Sequence, residues 1–407
     1  MKNHTPFGPL AAFQVRSFRF QWPADLLTSW AFEMETLILG WFVLVETGSV
    51  LLLSLFGALQ YLGTLVAPMM GSAGDQMGRR VIMCSTRGFL AFLATVIMAL
   101  GLLDSLNATV VLAIALIGGM IKPSDIVMRN ALIGDTMPGE RLANALGLSR
   151  TTMDSARIVG ALTGAGLFSV LGIGYAYIAV TGFYVLSFLF TLGVSRGTPD
   201  YSGTRERASQ WIELKDGLRF IQTTPVLLAI ILWAFFINVT AFPISHGLMP
   251  FIAKEIYGLD ENGLGQLIAG FAAGALTGSI IMAVIGARGH SGYLSLSGIL
   301  GWYICLATFI QYDTKLAGFT VLFIMGICHS FGMISMSVLL LDATESRFRG
   351  RVMGVRMLAV YGLPVGLLAS GGLIEWIGFR ATASLYIVAG VLLTLYTVWR
   401  WRHAFWR

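Results

Sequence analysis

The stretch Gly71-Ser-Ala-Gly-Asp75-Gln-Met-Gly78-Arg79-Arg80 lies between two long apolar runs and decides how the rest of the chain is read. Glycines, one acid and paired arginines, set where a helix leaves hydrocarbon, describe a charged hinge between membrane spans and not a catalytic loop. The surrounding composition agrees. Of 407 residues, 56% are hydrophobic and 12% charged, against about 25% charge in soluble domains. A chain this apolar needs lipid as its solvent, and spans of about 20 residues with short connections fit into the length about twelve times.

Hydropathy and turn residues predict helices over 22–45, 48–70, 79–103, 108–133, 142–170 and 173–195. A second set follows over 225–252, 262–286, 291–311, 316–341, 353–375 and 379–400. In lipid the backbone must satisfy its own hydrogen bonds, and runs this long exclude barrel strands of about ten residues, so the expected class is an all-α membrane protein. Alternate connections gather the basic residues: Arg16 and Arg19; Arg79, Arg80 and Arg87; Arg141; Arg205, Arg207 and Lys215; Arg347, Arg349 and Arg351; Arg400 and Arg402. The opposite set holds Lys254, Lys315 and Arg380, outnumbered by acids such as Glu46, Asp104, Glu255, Asp260 and Glu375. Both termini are therefore expected in the cytoplasm of a bacterial-type inner membrane. The formal charge of +6 reads as loop orientation and not as nucleic-acid binding. Cys84, Cys305 and Cys328 have no CxxC spacing, so neither a disulfide framework nor a metal site is expected. Residues 1–20 contain no apolar leader core, and the first span is expected to act as its own insertion signal.

Residues 196–224 form the one long connection. Their Pro, Gly, Ser and charge content marks a linker between a first half, 1–195, and a second, 225–407. Trp211, Leu214, Leu218 and Ile221 recur at helical spacing opposite Glu213, Lys215 and Asp216, which predicts an amphipathic helix on the membrane surface.

The hinge fits the pattern G-x-x-x-D-x-x-G-R-R at Gly71, Asp75, Gly78, Arg79 and Arg80, and with twelve spans and a central linker the chain resembles the major facilitator superfamily. Further runs are similar to its macrolide and siderophore exporter branch, the transmembrane secretion effectors: Gly40-Trp41 with Thr47-Gly48-Ser49, then Leu142, Asn144 and Ala145, Ala156 to Gly160, and Arg349-Gly350-Arg351-Val352-Met353. The resemblance implies two pseudo-symmetric six-helix bundles. Three positions depart from it: Gln76 stands where the family usually has a basic residue, Ala161 follows Gly160 where antiporters continue with proline, and Lys122 replaces an arginine usually found earlier in span four.

An alternating-access carrier must hold its halves together on one side of the membrane. Asp75 can accept from free amides at a facing helix N-terminus, expected near Arg349, Gly350 and Arg351, and Arg79 can reach Asp135 at the end of span four. The competing reading is that these arginines only set orientation. Small residues at four-residue spacing allow close backbone approach in lipid. Gly160 and Gly164 in span five, with Gly270, Gly274 and Gly278 in span eight, are expected to pack helices, either as a sliding contact between halves or as ordinary packing within one.

Charges inside spans cost about 2.5–3.5 kcal/mol each at the bilayer centre and must face a cavity or a partner. Span one carries Asp25, Glu33 and Glu35; span four Lys122, Asp125 and Arg129; span five Arg150, Asp154 and Arg157. Glu33 and Glu35 lie about 200° apart around a helix, so they cannot share one target. Glu33, Glu35, Asp125 and Asp154 are the candidate proton-coupling residues, with Lys122 or Arg157 adjusting the proton affinity of a glutamate; the alternative is an ion-pair network bracing the first half. The second half offers polar candidates for a substrate cavity, Asn238, His246, Gln266, His329 and Tyr361, beside Lys122 and Arg157 from the first. A cavity part charged and part apolar suits an amphipathic organic substrate. Pro243 and Pro250 mark span seven as a kinked outer gate.

The expected function is secondary export of an amphipathic small molecule, drug or siderophore-like, by a monomer exchanging it for protons, with no cofactor. Uptake by symport and lysolipid flipping keep the same fold. A non-transporting receptor and an intramembrane enzyme are rivals from other classes, the latter opposed by the lack of HExxH or GxSxG. No phosphate-binding loop of the G-x-x-x-x-G-K-S/T type occurs, which argues against a self-contained ATP-driven pump.

Overall fold

The computed structural model describes residues 11–64, 77–195, 219–285, 291–312, 314–344, 352, 355, 356 and 358–402. Among them the regular structure is helical. Six helices come from the first half: α1 (Arg16–Thr47), α2 (Val50–Leu59), α3 (Arg79–Leu102) and α4 (Ala108–Thr136), followed by Gly139–Leu192, which breaks at Gly172 into α5 (139–171) and α6 (173–192). The second half gives α7 (Pro225–Thr240), α8 (Glu261–Ile285), α9 (Ser291–Phe309), α10 (Lys315–Asp342), α11 (Gly362–Ile377) and α12 (Phe379–Arg400). The protein is thus an all-α, multi-pass membrane protein, with ten helices among the described residues long and apolar enough to cross a membrane.

Two departures from the predicted spans have local causes. α1 begins at Arg16 and not near 22, because its charged first turns are helical yet too polar for a hydropathy window to include. The seventh span does not run unbroken to 252. Its α-helix stops at Thr240, and the chain continues through two widened π turns, Pro243–Gly247 and Ile252–Ile256, on either side of Met249–Phe251. Pro243 and Pro250 lack an amide hydrogen and crowd the preceding carbonyls, so the regular ladder cannot pass them.

The turns repeat between the halves. Gly172, at φ 75° and ψ 174°, separates α5 from α6, and Gly378, at φ 81° and ψ 164°, separates α11 from α12. Gly48 after α1 and Gly258 before α8 also have positive φ, at 65° and 59°. Side chains with a Cβ rarely adopt this region, so each corner requires glycine.

The described residues group into two compact units, one drawn from 1–39 and 62–206, the other from 40–61 and 207–407. Residues 40–47 of α1 and all of α2 therefore belong with the second unit. There α2 lies along α11: a Cβ added at Gly371 would stand 2.7 Å from Ser54 Oγ and 3.0 Å from Leu51 Cα. Glu375 of α11 completes the seam by accepting from Ser49 Oγ at 3.0 Å and from the Leu51 amide at 3.3 Å, placing a carboxylate on the α2 N-terminus.

The glycine stripes make their close contacts inside each unit. Gly160 and Gly164 of α5 meet α1, where added Cβ atoms would come 2.8 Å from Glu33 Cβ and 3.0 Å from Met34 Cα. Gly270, Gly274 and Gly278 of α8 face Phe319, Phe323 and Ile327 of α10. Of the two arrangements expected from sequence, packing within one half describes these faces. The predicted surface helix at Trp211, Leu214 and Leu218 lies outside the described residues, as do Gly71, Asp75, Arg349, Gly350 and Arg351.

Candidate functional site

The first unit buries four charges from three helices against one another. Arg87 of α3 donates to Asp25 of α1 at 2.5 Å and, through Nε, to Asp125 of α4 at 2.8 Å. Arg129, one turn beyond Asp125, meets it at 3.1 Å and lies 3.5 Å from Asp25. All four side chains are at most 4% exposed. Two acids and two bases leave the group formally neutral. Two further donors leave the group: Arg87 Nη1 reaches Thr191 Oγ1 of α6 at 2.8 Å, and Arg129 Nη1 reaches Ser29 Oγ at 2.9 Å. Gln21 donates to the Arg129 carbonyl at 3.0 Å. Desolvating four ions is costly, and only this mutual pairing offsets it. Asp125, a proton-coupling candidate by sequence, is clamped between the guanidinium groups of Arg87 and Arg129.

Glu33 and Glu35 part company, as two residues 200° apart on a helix must. Glu33 faces α5, with Oε1 3.4 Å from Arg157 Nε, and both side chains are partly exposed, at 21% and 36%. Glu35 faces α4 and α6 and is buried. Lys122 Nζ lies 3.1 Å from its Oε2, and the Tyr184 hydroxyl donates to the same oxygen at 2.7 Å. The Lys122 ammonium also stands 4.4 Å from the centre of the Phe32 ring, a favourable cation–π position. One carboxylate, one ammonium and one phenol thus share a buried point fed by three helices. Asp154 forms an i,i+4 pair with Arg150 at 3.3 Å near the protein surface.

Gly78, at φ 92°, caps the start of α3 and aims the two following arginines. Arg79 Nη1 donates to Asp135 at 2.5 Å and to the Ala131 carbonyl at 3.0 Å, tying α3 to the end of α4. Arg80 donates to the Leu192 carbonyl at the end of α6.

In the second unit the two histidines sit in a cluster of rings. Phe242 and His246 from the irregular end of the seventh span meet Phe271 of α8, Trp302 of α9 and His329 of α10. Ring centres are 4.8 Å apart for both His246–Phe271 and Trp302–His329, and 6.3 Å for the two imidazoles. Ser245 Oγ lies 3.1 Å from His246 Nδ1. Asn238 is buried and donates to the Ala234 carbonyl of its own helix at 2.9 Å. Gln266 is exposed on α8, and Tyr361 is half-buried at the start of α11. Among the described residues no three His, Cys, Asp or Glu side chains converge as metal ligands.

Sequence reading missed several of these residues. Sequence position groups Arg87 with the orienting arginines, although it lies two turns inside α3 from Arg79 and Arg80. Aromatic character alone does not single out Tyr184, Phe242, Phe271 or Trp302 from the other aromatic residues of the spans. The signal for α6 was present: Tyr177, Thr181, Tyr184, Ser187 and Thr191 follow a three-or-four-residue spacing and place hydroxyls on one face.

Comparison with known proteins agrees with this architecture. A family model of the Major Facilitator Superfamily matches residues 22–364. The chain is 26% identical over 357 residues to the multidrug efflux pump Tap of Mycolicibacterium fortuitum, covering 84% of this chain and 85% of that one. It is 23% identical over 347 residues to the multi-drug resistance efflux pump PmrA homolog of Lactococcus lactis subsp. lactis (strain IL1403), covering 81% and 80%. Its fold is similar to the crystal structure of a D-xylose-proton symporter, with a TM-score of 0.73 at 14% identity over 93% of this chain and 96% of that one. With a family match across most of its length and ten helices among its described residues long and apolar enough to cross a membrane, the chain belongs to the Major Facilitator Superfamily and is a multi-pass membrane transporter.

Proposed function

We propose that this transporter exports an amphipathic small molecule from a bacterial-type inner membrane in exchange for protons, working as a monomer with both termini in the cytoplasm. In this reading its halves, 1–195 and 225–407, rock about a midplane site, joined by the linker 196–224. The observation that carries it is the Glu35–Lys122–Tyr184 point, where one buried carboxylate shares a single oxygen with an ammonium and a phenol. Such a carboxylate can hold or give up a proton according to what else approaches it. The Asp25–Arg87–Asp125–Arg129 group braces the bundle, and Glu33 with Arg157 binds the α1–α5 seam. Relatives named as multidrug and multi-drug resistance efflux pumps favour export of organic compounds. The ring cluster about His246 and His329 suits such a cargo, since aromatic faces attract flat or cationic organic groups without demanding one hydrogen-bond pattern.

The Arg79–Asp135 pair and the α2–α11 seam are the natural candidates for the cytoplasmic and outer gates. Gly40 packs against Pro250 at 3.4 Å, which brings the kinked end of the seventh span into the second of these regions. The test is flux in proteoliposomes with an imposed pH gradient, using the fluorescent organic cation ethidium as probe. Exchange for protons predicts that ethidium moves opposite to the proton gradient and that reversing the gradient reverses the flux. Movement in the same direction as protons overturns export by exchange and favours symport.

A further inference from the structure

Five hydroxyl-bearing residues, Tyr177, Thr181, Tyr184, Ser187 and Thr191, line one face of α6, and all are buried, with exposures of 0, 8, 1, 0 and 0%. Tyr184 is the member that touches Glu35. On one side of it the face is saturated. Ser187 Oγ lies 2.5 Å from Thr28 Oγ1 and donates to the Ala24 carbonyl at 2.9 Å, while Thr191 Oγ1 accepts from Arg87 at 2.8 Å. On the other side it is not. The Tyr177 hydroxyl and Thr181 Oγ1 are buried with no hydrogen-bond partner among the described residues. Tyr177 stands about 10 Å along the helix from Tyr184 at roughly 1.5 Å per residue, with Thr181 between them on the same face.

Buried hydroxyls are rarely left without partners, and those that lack one in the protein are met by ordered water with two to four polar neighbours. An unsatisfied pair on only one side of Glu35 gives that water a direction. We propose that the Tyr177–Thr181–Tyr184 face of α6 is the path by which protons reach Glu35, entering from the end of α6 nearer Gly172 and stopping at the carboxylate. It rests on the reading of Glu35 as the coupling group. The ionisable groups facing Glu35 are Lys122 from α4 and Tyr184 from α6, while Glu33 on α1 turns to Arg157. A water held by Tyr177 and Thr181 passes one proton to the Glu35 carboxylate and takes one from the water behind it. Tyr184 then turns from donating to the carboxylate to accepting from the carboxylic acid. The ion pair with Lys122 is weakened by the loss of the negative charge. The saturated side, ending at Arg87 and the neutral quartet, offers no hydroxyl left to carry the proton further.

The experiment is a pH jump on the full-length protein in lipid nanodiscs, followed by time-resolved infrared detection of the carboxylic C=O band that Glu35→Gln removes. Tyr177→Phe and Thr181→Val keep ring and volume while deleting the orphaned hydroxyls. Each is expected to slow the appearance of the band by about tenfold or more, within the range typical of positioned proton-transfer groups. Thr181→Ser restores a hydroxyl and is expected to restore the rate, which a merely structural role for Thr181 does not predict. Wild-type rates in both Tyr177→Phe and Thr181→Val overturn the path while leaving Glu35 as the coupling group. Absence of any band dependent on Glu35 in the wild type overturns the parent reading, and the path with it.

Discussion

The two units solve the problem of burying polarity by opposite means. The first pairs charges: Asp25, Arg87, Asp125 and Arg129 close on one another, Glu33 takes Arg157, and Glu35 takes Lys122. The second uses rings, hydroxyls and carbonyls. Thr240 meets Tyr303 at 2.6 Å, Trp233 donates to Thr394 at 3.1 Å, Tyr386 to the Gly366 carbonyl at 2.7 Å, and His246 and His329 pack among Phe242, Phe271 and Trp302. Charge pairs have large desolvation terms of either sign, whereas neutral hydrogen bonds and ring contacts are each worth about 1 kcal/mol. The first unit therefore holds its buried polarity in coupled charges, and the second in neutral hydrogen bonds and ring contacts.

Removing one member of the quartet is the severest way to probe this contrast. Arg87→Met leaves two buried carboxylates short of a partner, and about 3–5 kcal/mol of stability is expected to be lost. The readout is loss of the monodisperse peak in detergent or a large fall in the thermal unfolding midpoint. Removing Arg87 together with Asp125 is expected to cost less than the sum of the single changes, because the pair couples.

Packing in the second unit is the next largest effect. Gly274 approaches the Phe323 carbonyl so closely that any Cβ must push α8 away from α10. Gly274→Ala is expected to destabilise by about 1–3 kcal/mol. Gly166, whose added Cβ meets no atom within 4 Å, is the control and should tolerate alanine in the same unfolding assay. The ring cluster predicts a milder result. Phe242→Ala removes contacts with His246, Trp302 and His329, each worth about 0.5–1.5 kcal/mol. If these rings meet cargo, the ethidium concentration at half-maximal flux rises roughly three- to tenfold while the proton dependence of flux keeps its shape. Smallest of all is Glu375→Gln, which weakens the cap on α2 by about 0.3–1 kcal/mol, measurable as a small drop in unfolding midpoint that high salt reduces further.

Spans and class were legible because lipid imposes length and apolarity on every crossing segment. Partners were less so. Helical angle alone required Glu33 and Glu35 to diverge, but which one met Lys122 and which met Arg157 depended on how α4, α5 and α6 surround α1, and no spacing within one helix contains that. Arg87 was hidden by its proximity to Arg79 and Arg80, although its distance of two turns into α3 marked it as a buried group. The break after Thr240 was half visible: Pro243 and Pro250 announced a kink, while the widened turns on both sides depend on tertiary contacts. The hydroxyl face of α6 could have been read directly, since Tyr177, Thr181, Tyr184, Ser187 and Thr191 keep helical register, but hydroxyl side chains are common in membrane helices and carry little signal until their partners are known.

The central claim is that Glu35, and not its neighbour two residues away, is the group whose protonation drives transport. Its most direct measurement is pH-gradient-driven ethidium flux in proteoliposomes containing Glu35→Gln or Glu33→Gln, beside ethidium exchange measured with no gradient. The account predicts that Glu35→Gln lowers gradient-driven flux by about a hundredfold while exchange continues, and that Glu33→Gln retains its response to the gradient. Full coupling in Glu35→Gln, or loss of coupling in Glu33→Gln alone, contradicts it.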